Sequence, residues 1–104
     1  HDLGREAEGA AGQALGQSQD VSEFWIRLGV ALDMQGRWAE GSEAFLKALT
    51  LAPASSLAWY HQGYHLSLNP RAYKLAEVAV ATCLRLDPAH ASAKSLQHRL
   101  SSAP

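Results

Sequence analysis

Two stretches of this chain repeat one another at a fixed spacing, and that spacing limits the fold more than any single motif does. Aligning "FWIRLGVAL" (24–32) with "AWYHQGYHL" (58–66) sets Trp25 over Trp59, Gly29 over Gly63 and Leu32 over Leu66, each 34 residues apart. Further on, "ALTLAP" (48–53) matches "CLRLDP" (83–88), with Ala48 over Cys83, Leu49 over Leu84 and Pro53 over Pro88, now 35 residues apart. One residue is inserted within the second unit. A period of this length is the mark of supersecondary units that bury a core only by stacking on their neighbours. No segment alternates with period two between turn residues, so no sheet is expected. The predicted fold class is all-α, a solenoid of stacked helical units.

Local chemistry sets the expected boundaries. "DVSE" (20–23) has the form of a capping box, in which Asp20 accepts orphan amides and Glu23 reaches back, and it predicts a helix starting just after Asp20. "QGR" (35–37) supplies a glycine to end that helix in the left-handed region. In the second unit, Asn69 is placed as an N-cap with Pro70 at the first helical position, where a missing N–H costs nothing.

Composition narrows the function classes. A chain of 104 residues is one domain's worth, and folding a domain of this size removes about two-thirds of its unfolded surface from water. Charged residues make up 18% of it and the formal charge is −1, so nothing electrostatic points to a nucleic-acid partner, and none is expected. The lone Cys83 cannot form an internal disulfide. The longest nearly uncharged run, Thr50 to Gln62, is short and broken by Pro53, Ser55, Ser56 and His61, so no membrane span is expected. The opening "HDLGREAEG" has no positive n-region followed by an apolar h-region, so no signal peptide is expected in it, and the compartment stays open.

These residues together resemble the tetratricopeptide repeat, whose pattern is W-x2-L-G-x2-Y, then Ala, Phe and Ala, then Pro. The first unit, 22–55, supplies Trp25, Leu28, Gly29 and Leu32, then Gly36, Trp38, Phe45, Ala48 and Pro53, but carries Gly41 where the pattern has Ala. The second, 56–90, supplies Trp59, Gly63, Leu66, Tyr73, Ala76 and Pro88, with Val80 for Phe, Cys83 for Ala and Gln62 for Leu. Residues 2–18 are then expected to be an orphan second helix, weakened by glycines. Residues 91–101 are expected as a capping helix with Leu96 and Leu100 on one face, and 102–104 as a tail. The resemblance thus implies that the whole chain, 1–104, is one such domain, an antiparallel helix-turn-helix solenoid of about six helices.

The resemblance implies that the first helix of each repeat lines a concave groove. Carried over by position, the partner-binding set is Ile26, Arg27, Val30, Asp33 and Met34 from the first unit, with Tyr60, His61, Tyr64, Ser67 and Leu68 from the second. Trp25, Leu28, Trp59 and Leu66 are expected against the paired helices. A subclass of the family grips acidic chaperone tails with a clamp of Lys, Asn and Arg. The matching positions here hold Ile26, Val30, Tyr60 and Tyr64, so the implied partner is instead an apolar or aromatic protein segment.

Tyr60 and Tyr64 lie one helical turn apart and face the same way, either as ordinary packing or as a binding platform. His61 and His65 share that spacing. Zinc needs three or four convergent ligands and "HQGYH" brings no third, so the simpler expectation puts His65 between helices and His61 at the groove edge. No nucleophile elbow, phosphate loop or dinucleotide fingerprint is present, and neither enzyme activity nor a cofactor is expected. Two alternatives stay open. One is self-association, as a homodimer through end-helix residues Leu3, Leu15, Leu96 and Leu100 or as a stacking unit of a larger repeat protein. The other is a zinc or hydrolytic site at the His61/His65 pair.

Overall fold

The computed structural model describes residues 15–103, which form five α-helices and no strand. They are α1 (Leu15–Met34), α2 (Trp38–Leu51), α3 (Ser56–Ser67), α4 (Tyr73–Leu86) and α5 (Ala91–Ser101), with a 3-10 turn at Pro70–Ala72 leading into α4. Helix α1 packs on α2 and α3 on α4, and α5 lies against the second pair. Residues 2–14 of the expected orphan helix lie outside the described residues.

The expected start after Asp20 is not where α1 begins. The helix already runs through Leu15 and carries "DVSE" in its interior. The physical reason lies in what those side chains do. Ser22 is buried at 1% exposure and donates to the Ala48 carbonyl of α2 at 3.1 Å. Glu23 pairs forward with Arg27, one turn on, at 3.6 Å. Tertiary burial of Ser22 outweighs a local signal worth about 1 kcal/mol.

The other end of α1 follows the expectation. Gly36 takes φ 76°, its amide donates to Asp33, and the Arg37 amide reaches back to Leu32, both at 2.9 Å. This pair of bonds satisfies carbonyls that the helix end would otherwise orphan. The second unit turns differently. Asn69 Oδ1 accepts the Arg71 amide at 3.0 Å, and Pro70 opens a 3-10 turn rather than α4 itself. The inserted residue of the second unit is absorbed between α3 and α4. Ser55 caps α3 through Ala58, and the ring nitrogen Nδ1 of His90 caps α5 through Ala93, each at 3.1 Å.

Two apolar clusters hold the helices. In the first, Ile26, Phe45, Ala48 and Ala58 are buried, with Trp25, Val30 and Leu49 packed around them. In the second, Ala76, Val80, Cys83, Ala93, Leu96 and Leu100 are buried beneath Trp59, Tyr60, Leu66 and Tyr73. Cys83 is fully buried, and that burial pushes its thiol pKa up, as suits a packing residue. The lysine and polar residues of α5, including Lys94, Gln97 and Arg99, remain in solvent. Among the described residues no helix is long and apolar enough to cross a membrane.

The repeated glycines mark close helix approach. A Cβ on Gly29 would stand 2.7 Å from the Phe45 ring, so the ring occupies the space a side chain would need. Phe45, 2% exposed, is therefore the central contact of the first pair. Phe45→Ala should cost about 3–5 kcal/mol in urea unfolding. Trp59→Ala should cost less, because Trp59 is only half-buried and part of its anchoring is one bond from Nε1 to the Pro53 carbonyl at 2.8 Å.

A concave groove over a buried polar chain

Helices α1 and α3 present their exposed side chains to one hollow of about 480 Å³, lined by Val30, Asp33, Met34, Tyr60, His61, Tyr64 and Leu68, together with Trp38 and Phe45 from α2. Met34 is 83% exposed, Leu68 45% and Tyr64 41%, so the upper walls are apolar and open to solvent. The rings beneath are in mutual contact. Phe45 and His61 stack nearly parallel, 7° apart in plane, and Tyr60 contacts His61 at 5.1 Å and Tyr64 at 6.2 Å. Tyr60 also meets the His90 ring of the α5 cap at 5.1 Å and packs on the second core cluster. It is as much a structural residue as a groove residue. A smaller hollow of about 240 Å³ adjoins, bounded by Glu23, Ile26, Arg27, Val30, Leu57 and His61.

Seven of the ten expected residues meet at the main groove, and three do not. Ile26 is 4% exposed and packs with Phe45, Ala48 and Ala58, because the start of α3 covers it; it offers a partner almost no surface. Arg27 is exposed on the adjoining hollow, where it pairs with Glu23. Ser67 lies outside the lining, its hydroxyl donating to the Tyr64 carbonyl one turn back. Asp33 reaches the groove but does not serve as a charged rim, since it is 9% exposed and its carboxylate is engaged from below.

The engagement is a chain of hydrogen bonds linking three helices. His65 Nδ1 lies 2.7 Å from Asp33 Oδ2, and His65 Nε2 lies 2.6 Å from Ser42 Oγ. A carboxylate only accepts, so in the neutral imidazole Nδ1 carries the proton and Nε2 accepts from the serine hydroxyl. Gly41 makes the arrangement possible. A Cβ at that position would clash with Asp33 Oδ1, so the alanine of the repeat pattern does not fit. That departure was visible in the sequence, and its meaning needed the distant Asp33 and His65. Oδ1 itself is buried without a hydrogen-bond partner, leaving the carboxylate dependent on His65.

Both His65 nitrogens are occupied, so the His61/His65 pair does not offer two free ligands. Among the described residues no three His, Cys, Asp or Glu side chains converge on a common point. Sequence reasoning missed Trp38, Phe45 and His90 as groove neighbours, and Ser42 as the partner of His65. Ser42 is 23 residues from His65 and Asp33 is 32 away, so local spacing carried no signal of the contact.

Comparison with known proteins agrees with this architecture. Residues 22–55 match the family model described as tetratricopeptide repeat, and the helix pairs of the described residues build the corresponding all-α solenoid. No curated protein matches the chain. Residues 22–55 thus carry a tetratricopeptide repeat, formed by most of α1, all of α2 and the connection to α3. The repeat is a protein-interaction module.

Two measurements test the site. Gly41→Ala should destabilise the protein by about 1–3 kcal/mol through overpacking against Asp33. In an Asp33→Ser background most of that cost should vanish in urea titrations, because the clashing carboxylate is gone. The second concerns pH. Burial holds the His61 imidazole below its usual 6.5, with a further push from His90. A histidine with a depressed folded-state pKa binds its proton more readily unfolded, so its contribution is intact above about 6.5 and is lost as pH falls from there through the folded value. Melting temperature should therefore drop on acidification from neutrality, and His61→Gln should flatten that part of the profile.

Proposed function

We propose that the concave groove holds a short apolar or aromatic segment of a partner protein, and that the chain works as a scaffold or adaptor. Two stacked repeats (22–55 and 56–90) and a capping helix (91–101) present the surface. The observation that carries this reading is the groove's charge: its one ionised lining residue, Asp33, is bonded to His65, and its walls are Val30, Met34, Tyr64 and Leu68 over aromatic rings. A terminal carboxylate would find no cation in this lining. An aromatic or branched apolar side chain would find ring faces and a flexible methionine that adapts to it.

In this reading the groove binds and takes no part in chemistry. A second reading, self-association, has its own observation. Leu75 and Val78, one turn apart on α4, are each 62% exposed. Of the end-helix leucines that the sequence suggests, Leu96 and Leu100 are 1% and 6% exposed and face the interior, and the side chains of Leu3 and Leu15 lie outside the described residues.

Met34→Ala with Tyr64→Ala is the discriminating variant, since both side chains are exposed and neither belongs to a core cluster. Peptides selected on the wild-type protein from a random displayed library should lose about tenfold or more in affinity for the variant, with helicity and melting temperature unchanged. Their affinity should vary little with salt. Equal binding by the variant, or a steep salt dependence, would move the site away from this groove.

A further inference from the structure

The hydrogen-bonded chain of Asp33, His65 and Ser42 has a geometry that the binding role leaves unused. Ser42 donates to a histidine whose far nitrogen is held by a buried carboxylate, at 2.6 and 2.7 Å. This is the order of roles that activates a serine: nucleophile, base, and a group that fixes the base's tautomer. Ser42 and His65 also line a second hollow of about 470 Å³, which shares Trp38 and Leu68 with the peptide groove. Its remaining wall includes Trp38, Ala39, Leu66, Leu68 and Pro70, and no Lys, Arg, Asp or Glu lines it. Trp38 and Ala39 open helix α2, whose first-turn amides receive no side-chain cap; Arg37, at the cap position, is bonded instead to Glu40. Uncapped helix-start amides are donors suited to a developing oxyanion.

We propose that Ser42 is an activated nucleophile that accepts acyl groups from small neutral esters entering this hollow. Ser42 Oγ attacks the ester carbonyl carbon while its proton passes to His65 Nε2. Asp33 holds the imidazolium through Nδ1–H as a positioning residue, and the uncapped first-turn amides of α2 are the candidate donors to the oxyanion. The carbonyl re-forms as the carbon–alkoxy bond breaks, and the alcohol leaves with the proton from His65. Water then attacks the acyl-Ser42 carbonyl, giving its proton to His65, and the serine leaves as product acid forms and recovers the proton from Nε2. The net reaction is ester plus water to acid plus alcohol. The uncharged, largely apolar lining selects short uncharged acyl groups over anionic substrates.

The test uses the whole folded chain with a fluorophosphonate and with p-nitrophenyl acetate. The expected result is a single phosphonyl adduct, mapped by peptide mass spectrometry to Ser42, forming at least about a hundredfold faster than on N-acetylserine, as general-base assistance provides. Asp33→Asn should lower kcat for p-nitrophenyl acetate while leaving KM nearly unchanged, as expected of a positioning residue. Ser42→Ala should abolish both the adduct and the nitrophenol burst while retaining helicity. No adduct at Ser42 on the folded wild-type protein, or an adduct spread over several serines, would each overturn the proposal, and neither outcome depends on a variant folding.

Discussion

His65 reaches from α3 to Asp33 near the end of α1 and to Ser42 near the start of α2, and this buried contact joins one helix pair to the next. Apolar packing alone supplies most of the stabilisation, but it is tolerant of small rotations between helices. A charge-assisted bond of 2.7 Å is not. Removing either partner would strand a buried polar group, so the pair acts as a geometric constraint as well as a contact. Gly41 is part of the same constraint, because only a residue without Cβ leaves room for the Asp33 carboxylate. With the Asp33 carboxylate held by His65, the repeat pattern's alanine at position 41 would overpack against it.

The groove follows from that junction. With Asp33 turned inward, the ends of α1 and α3 meet without exposing a charge, and Phe45 comes up between them to form a floor with His61. The side chains that contribute least to the core, Met34, Tyr64 and Leu68, are the ones exposed at the groove wall. Tyr60 is shared between floor and core, which gives the wall a rigid edge where it meets α5. His61 is desolvated for the same reason, so the condition of the groove and the stability of the fold respond together to acid.

Legibility in the sequence varied with the kind of signal. The glycine turn after α1 was readable because left-handed backbone at Gly36 is a local steric matter. The capping box at Asp20 was misleading because Ser22 is recruited by α2, a contact 26 residues away. Ile26 illustrates the same limit. Its register along α1 is that of a groove residue, but the first turn of α3 covers it, and periodicity within one helix does not report how far the next helix extends. Asp33 reads as a surface charge until Gly41 and His65 are placed beside it.

What the sequence determined by itself is the repeat: a 34-residue period carried by Trp25/Trp59, Gly29/Gly63 and Leu32/Leu66, hence an all-α solenoid built of helix pairs. Such information is local or periodic, and local sterics and amphipathic spacing suffice to express it. Only the tertiary structure decided which polar residues face each other. Ser42, Asp33 and His65 are brought within hydrogen-bonding distance by the stacking of three helices, and the role of each depends on the other two. Contacts between distant positions depend on the angle and spacing at which helices pack, a collective property of the core that no single stretch of sequence encodes.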